Sequence, residues 1–449
     1  MLQATDDVGN VCETIMTEAP VSTAFQTVSQ MAALPAVHRA FQWLHLREPQ
    51  LRRWQREISG IPAAPFGEQA RAEWLVAQFA ALGLEDSQID ACGNALGWLR
   101  GTRQAPCGDA VKDNPDADDS YAEMEHNTQP CILLSAHIDT VFPVEGMRAP
   151  VEAEPILFAP SASDNAAGVT ALLALAAAMR ATDLVPEVDI LFAGNVGEEG
   201  EGNLRGMRYL LTASPFRHRI ATAVVLDGAG TESIVTQGLG SRRFLVTITG
   251  PGGHSWSDAG TPNPILILAT ALAAMQKLEI PRFPRSSWNV GRIEGGTAIN
   301  AIPEKVEARI DMRSTDSAQL LRMELALQRA VEEAVAASRE RAGTHKNRAQ
   351  LEATLEMIGE RPVAKLPDNA RVLSMIRAVD RHLGIRSELR TASTDANIPL
   401  SLGIEAISIG SGGSGGGIHT REEWFDATGR DLGLRRILLL LLALSQTPE

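Results

Sequence analysis

The sequence predicts an α/β core built on a mostly parallel sheet, with a smaller α+β unit inserted into it. Two changes of pattern along the chain carry that prediction. From Cys131, short apolar runs alternate with helical stretches: CILLSA, the Ala/Leu-rich AAGVTALLALAAAM, VDILFAG, LRGMRYLL and ATAVVLD, with GIEAISIG much later. Strands that are apolar at nearly every position are buried on both faces, the mark of a parallel sheet covered by helices. From about Gly238 to Pro362 the order becomes FLVTIT, NPILILATALAAMQ, WNVGRIEGG, KVEARIDMR, SAQLLRMELALQRAVEEAVAAS and LEATLEMIG, a βαββαβ succession. In KVEARIDMR the residues Val306, Ala308, Ile310 and Met312 alternate with charged ones, the period of a strand with one wet face.

The chain therefore divides into a core formed by residues 1–237 and 363–449 and an inserted unit, 238–362. Residues 1–40 show no clear period and read as an extension. The stretch Pro35–Ser59 reads as helical, with Phe41, Leu44, Leu46 and Trp54 among polar residues. Residues 104–130, polar and acidic, carry neither helical nor strand periodicity and read as an exposed insertion.

A chain of 449 residues exceeds one ordinary core. No apolar run approaches the roughly 18 residues of a membrane span, so no membrane partner is expected. The opening MLQATDDVGNVCETIMTEAP lacks the basic start and apolar stretch of a secretory signal, which makes a cytoplasmic address the expectation. Cys12, Cys92, Cys107 and Cys131 have no paired spacing, so any metal must be held by oxygen and imidazole. A formal charge of −14, with no basic stripe interleaved with aromatics, argues against nucleic acid.

In open α/β sheets ligands collect outside the carboxyl ends of the strands. Five candidate metal-ligand positions fall at such places. His137 follows CILLSA; Asp164 stands in SASDNAAG, where a loop enters a helix; Glu198 and Glu199 follow VDILFAG; Asp227 closes ATAVVLD; His419 follows GIEAISIG and a glycine loop. Imidazole and carboxylate together suit zinc, and a carboxylate bridging two ions would let both act on one water and one carbonyl. Adjacent side chains on an extended loop diverge, so one of the Glu198–Glu199 pair can bind metal while the other faces the water. Asp139, two residues after His137, is placed to hold the other ring nitrogen. Taken singly, each has a plainer explanation: a solvated pair, a rim histidine, a helix cap.

HIDTV at His137–Val141, SDNAAG at Ser163–Gly168, GEEG at Gly197–Gly200, GGHSW at Gly252–Trp256, NAIP at Asn300–Pro303 and HTREEWFD at His419–Asp426 resemble a known family. These are the two-zinc metallopeptidases that include glutamate carboxypeptidase, aminoacylase, acetylornithine deacetylase and peptidase T. The closing stretch looks most like the tripeptidase-like members. The resemblance implies a zinc-exopeptidase core with a lid or dimerisation insert. His137 and Asp227 would hold one zinc, Glu199 and His419 the other, and Asp164 would bridge them, with cobalt or manganese as possible substitutes. It makes Glu198 the general base and Asn165 the partner of Asp164 in a cis peptide. It also implies a homodimer through the inserted unit, in which His254 polarises the scissile carbonyl across the interface while Asn300 and Arg313 grip the substrate. The activity implied is amide hydrolysis in a small carboxylate-bearing substrate, a di- or tripeptide first. An N-acyl or N-carbamoyl amino-acid amidohydrolase is the alternative, and a non-catalytic metal-binding relative the remote one. A neighbouring zinc-aminopeptidase family shares the metal order but lacks the inserted unit.

Overall fold

The computed structural model describes residues 22–103, 129–342 and 350–446. Helices Thr23–Ala32, Pro35–Leu46, Glu48–Ser59 and Gln69–Ala81 lead into strands β1 (Glu85–Ile89) and β2 (Ala95–Leu99). Then come β3 (Cys131–His137), the short β4 (Val151–Ala153) and β5 (Ile156–Phe158), helix Ala166–Ala181, β6 (Asp189–Asn195), helix Arg205–Thr212, β7 (Ile220–Leu226) and β8 (Ser233–Gly238). The next stretch holds β9 (Gly240–Thr249), β10 (Gly253–His254), helix Pro264–Met275, β11 (Ser286–Gly295), β12 (Ala301–Ile302), β13 (Lys305–Ser314), helix Ser317–Ala342 and β14 (Glu352–Arg361). The chain closes with β15 (Ala364–Lys365), helix Arg371–Leu383, β16 (Glu388–Ala392), helix Asn397–Ser401, β17 (Glu405–Ile409), β18 (Ser414–Gly416), β19 (Trp424–Asp426) and helix Arg430–Ser445.

The large sheet has the order β1-β2-β6-β3-β7-β17-β8-β15, with β16 also on β8. Its centre is parallel: β3 pairs with β6 and β7, and β7 with β17, all in the same direction. The carboxyl ends of four strands therefore meet along one edge. Every residue of β3 is buried, as the unbroken apolar run required. Helix Ala166–Ala181, buried from Ala166 through Met179, covers the sheet.

The second sheet, β11-β13-β9-β14, is antiparallel throughout. Helices Pro264–Met275 and Ser317–Ala342 lie on one face and share a separate apolar core with Val306, Ala308, Ile310 and Met312. The strand alternation of KVEARIDMR is thus realised. Leu239 and Pro362, where the chain leaves and re-enters the large sheet, are stitched together by Asn397, whose Nδ2 donates to both carbonyls at 3.0 and 2.9 Å.

Two sequence expectations need correction, and a third lies almost wholly outside the described residues. The helical stretch Pro35–Ser59 is two helices, broken at Arg47. Pro49 sits in the first turn of the second helix, where its missing N–H costs nothing but its ring bars continuation from the first. Residues 1–40 are not uniformly without structure. Helix Thr23–Ala32 starts where the Ser22 hydroxyl accepts the Phe25 N–H, and buries Val28 and Ala32. Two buried positions are too few to show as a period. Of the insertion at 104–130, only its last two residues lie within the described parts.

Ile310→Ala should lower the unfolding free energy by about 2–5 kcal/mol, since it leaves a cavity in the second core. The exposed Lys305→Ala on the same strand should change it by no more than about 0.5 kcal/mol. Urea denaturation followed by circular dichroism reads both.

Candidate metal centre

The strand ends bring the sequence-derived ligands into one cluster. Donor atoms of His137, Asp164 and Asp227 lie within 4.8 Å of one another, and so do those of Asp164, Glu199 and His419. Asp164 belongs to both groups, and its two oxygens serve different imidazoles. Oδ1 is 3.0 Å from His137 Nε2, and Oδ2 is 3.1 Å from His419 Nε2, which is also 2.9 Å from Glu199 Oε1. A carboxylate of Glu198 joins His137 and Glu199 in a third such group. Oxygen and imidazole donors arranged in two sets around one shared carboxylate fit a pair of divalent metal ions.

Each ligand is held by a specific contact. Asp139, fully buried, accepts the Glu198 N–H at 3.1 Å and the Glu199 N–H at 2.7 Å, one on each oxygen. Its carboxylate lies 3.4 Å from His137 Nδ1, while its carbonyl oxygen is nearer, at 3.2 Å. The expected role toward the ring is therefore shared with a clamp on the glutamate loop. Asn165 caps helix Ala166–Ala181 and ties it to the next ligand: its Nδ2 donates to Leu226 O, and its Oδ1 accepts the Gly228 N–H, on either side of Asp227. The Asp164–Asn165 peptide is cis, as the family resemblance implied. Asp227 N–H also donates to Ile409 O at the end of β17. His419 stands at φ 62°, a left-handed conformation a bulky residue keeps only where its surroundings enforce it.

Crowding sets the electrostatics. Burial, aided by the nearby Asp164, pushes the Asp227 carboxyl up to about 7. Burial raises Glu198 well above its ordinary range against the pull of Arg361. Asp164 goes the other way: burial opposes ionisation, but hydrogen bonds with His137 and His419 hold it well below the usual carboxylate range. Hydrogen bonds to Asp164 and Glu199 raise His419 to about 10. His137 is raised too, because its contacts with Asp139 and Asp164 outweigh burial.

His254, Asn300 and Arg313 do not join the cluster. His254 and Asn300 are neighbours on an exposed edge of the second unit, where Ser255 N–H donates to Asn300 O and His254 Nδ1 accepts the Trp256 N–H. Arg313 lies on the open face of the second sheet and gives Nε to Asp311 at 2.7 Å.

Sequence reasoning missed three residues. Glu423, almost fully buried, accepts backbone N–H groups of Ser161, Ser163 and Asp164 at 3.0, 2.8 and 2.7 Å, so the segment bearing His419 also clamps the turn bearing Asp164. Its place four residues after His419 in HTREEWFD was a usable signal. Asp395, in the STDAN segment, accepts from Asn195 at the end of β6, and burial raises it to about 6. Arg361, the last residue of β14, donates to Glu198 Oε1 at 2.8 Å. No local pattern marks it.

Comparison with known proteins places these features in context. The model of peptidase family M20/M25/M40 matches residues 133–443. A probable carboxypeptidase of Aspergillus flavus is 27% identical over 213 residues, 43% of this chain and 50% of that protein. The chain thus spans about half the length of the curated relatives it matches first. A tripeptidase from Staphylococcus aureus has the same fold, with a TM-score of 0.65 at 19% identity over 89% of this chain and 99% of the other. The Bacillus subtilis YXEP protein, a dinuclear metal binding peptidase, gives 0.58 at 14% identity over 88% and 98%.

Imidazole binds metal only after losing its proton, so loading this chain near neutral pH should release protons. Calorimetric titration with a divalent metal in two buffers of different ionisation heat should give different apparent enthalpies. In the chelated chain, His419 is raised from 6.5 to about 10, so its stabilising contribution is complete below pH 6.5 and lost as pH climbs toward 10. The melting temperature of chelated protein should fall across that interval.

Proposed function

Because the chain belongs to peptidase family M20/M25/M40, we propose that it hydrolyses an amide bond in a small carboxylate-bearing substrate, a di- or tripeptide first, using two zinc ions. The observation that carries the reading is Asp164, shared through its two oxygens by two donor sets, with the Glu198 carboxylate beside them. His137 and Asp227 would hold one ion, Glu199 and His419 the other, and Asp164 both. Bound there, the ions supply Lewis acidity, making water easier to deprotonate and the scissile carbonyl easier to attack.

The remaining work falls to side chains. Glu198 takes the proton of the attacking water at its carboxylate and gives it to the leaving nitrogen. Burial, which raises its proton affinity, suits it to both steps. Asp139 keeps the glutamate loop and the His137 ring in register. Arg313, with its side chain 43% exposed and its Nε on Asp311, can grip a substrate carboxylate through its other nitrogens.

His254 and Asn300 complete the reading if the protein is a dimer. They stand on an exposed edge, on a unit that also exposes Trp256, Leu266, Phe283 and Ile299. A second copy covering that surface would bring His254 to its partner's centre, where it would stabilise charge on the carbonyl oxygen. Among the described residues no helix is long and apolar enough to cross a membrane.

Glu198→Gln should leave metal content unchanged and lower kcat by about 10²–10⁴-fold. Near-normal turnover would remove Glu198 as the base. A panel of di- and tripeptides with N-acetyl and N-carbamoyl amino acids, run with and without chelator, should show chelator-sensitive cleavage of peptides. Preference for the acylated amino acids would move the assignment to the amidohydrolase alternative. Sedimentation should show a dimer, and a monomer would exclude His254 acting in trans.

A further inference from the structure

The proposed mechanism gives no role to the buried contact between Arg361 and Glu198. Arg361 ends β14, on a register row in which Ser241 of β9 pairs with Arg313 on one side and Arg361 on the other. Its Nη1 donates to Glu198 Oε1 at 2.8 Å and to Ser393 Oγ at 3.0 Å, and its Nη2 donates to the Glu198 carbonyl oxygen. Both side chains of the pair are only 7% exposed. One planar fork thus holds the carboxylate and the main chain of the same residue, which fixes the backbone and the side-chain torsions together.

We propose that Arg361 is the positioning residue of Glu198, and that through it the seating of the inserted sheet sets where the base carboxylate points. The proposal rests on Glu198 being the general base. A base acts only within hydrogen-bond reach of its proton, so an unheld carboxylate spends its time in unproductive rotamers.

Neighbouring contacts agree. Arg243 donates to Gly200 O, Arg309 pairs with Glu201, and Glu360 N–H donates to Asn203 Oδ1 at 2.8 Å. The loop from Glu198 to Asn203 is gripped by Asp139 of the core from one side and by three strands of the second sheet from the other. Arg361 is ill suited to hold a substrate itself. Both Nη atoms are engaged, and its Nε is buried. Arg313, on the same row, is the open one.

The test uses the full chain, metal-loaded, as wild type, Arg361→Lys and Arg361→Met. In the Met variant kcat should fall by about 10²-fold with KM nearly unchanged, the pattern of a lost transition-state contribution. The Lys variant should fall between, and guanidinium ion in the buffer should restore part of the Met variant's rate. A raised KM with kcat intact would overturn the proposal by making Arg361 a substrate grip. Hydrogen exchange supplies a readout that needs no turnover. Residues 198–203 should exchange faster in both variants while β3 and β7 stay protected, and unchanged exchange there would also overturn it. Wild-type protein that cleaves nothing in the substrate panel would count against the proposed function instead, leaving the exchange result to decide the role of Arg361.

Discussion

The cluster is organised by one constraint: too many carboxylates share too little space. Asp139, Asp164, Glu198, Glu199, Asp227 and Asp395 converge behind the carboxyl edge of the large sheet, and most are nearly fully buried. Buried like charges cannot all ionise without compensation. Without metal, the compensation comes from a raised affinity for protons at His137, His419, Asp227 and Glu198, and from the guanidinium of Arg361. A pair of divalent cations would replace the protons and leave the same side chains in place. The site is thus arranged around positive charge that the polypeptide supplies only in part.

Much of this was legible in the sequence because a parallel sheet turns strand order into spatial convergence. Acids and histidines that follow apolar runs at positions 137, 198–199, 227 and 419 are far apart along the chain, yet parallel pairing places all their strand ends on one edge. Period-two alternation located the second sheet and the face of β13 that it buries. What escaped depends on tertiary contact alone. Arg361 looks like any arginine at a strand end until β14 is laid against the glutamate loop. Glu423 looks like a surface acid until three N–H groups converge on it. The break at Arg47 was missed because the apolar positions on either side still read as one helical face.

Support for the ligands is distributed so that each strand end is checked by its neighbour. Asp139, after β3, holds the loop after β6; Asn165 holds both flanks of Asp227 after β7; Glu423, beyond β17, holds the turn of Asp164. Nearly all of these bonds run from side chain to main chain. The backbone geometry of each loop is therefore set by a residue from another loop, in addition to the direct contacts of Asp164 and Glu199 with the two imidazoles.

Asn397 joins the two points where the chain leaves and re-enters the large sheet, side by side at Leu239 and Pro362. For the folding chain that adjacency has an entropic meaning. The core must close over the intervening residues whatever they become, and closure entropy grows only slowly with loop length. Two neighbouring ends let the excursion fold as its own small body with its own core. Such a neck leaves the length of the excursion free to vary at small entropic cost, while its strands β9, β13 and β14 stay tied to the loop from Glu198 to Asn203.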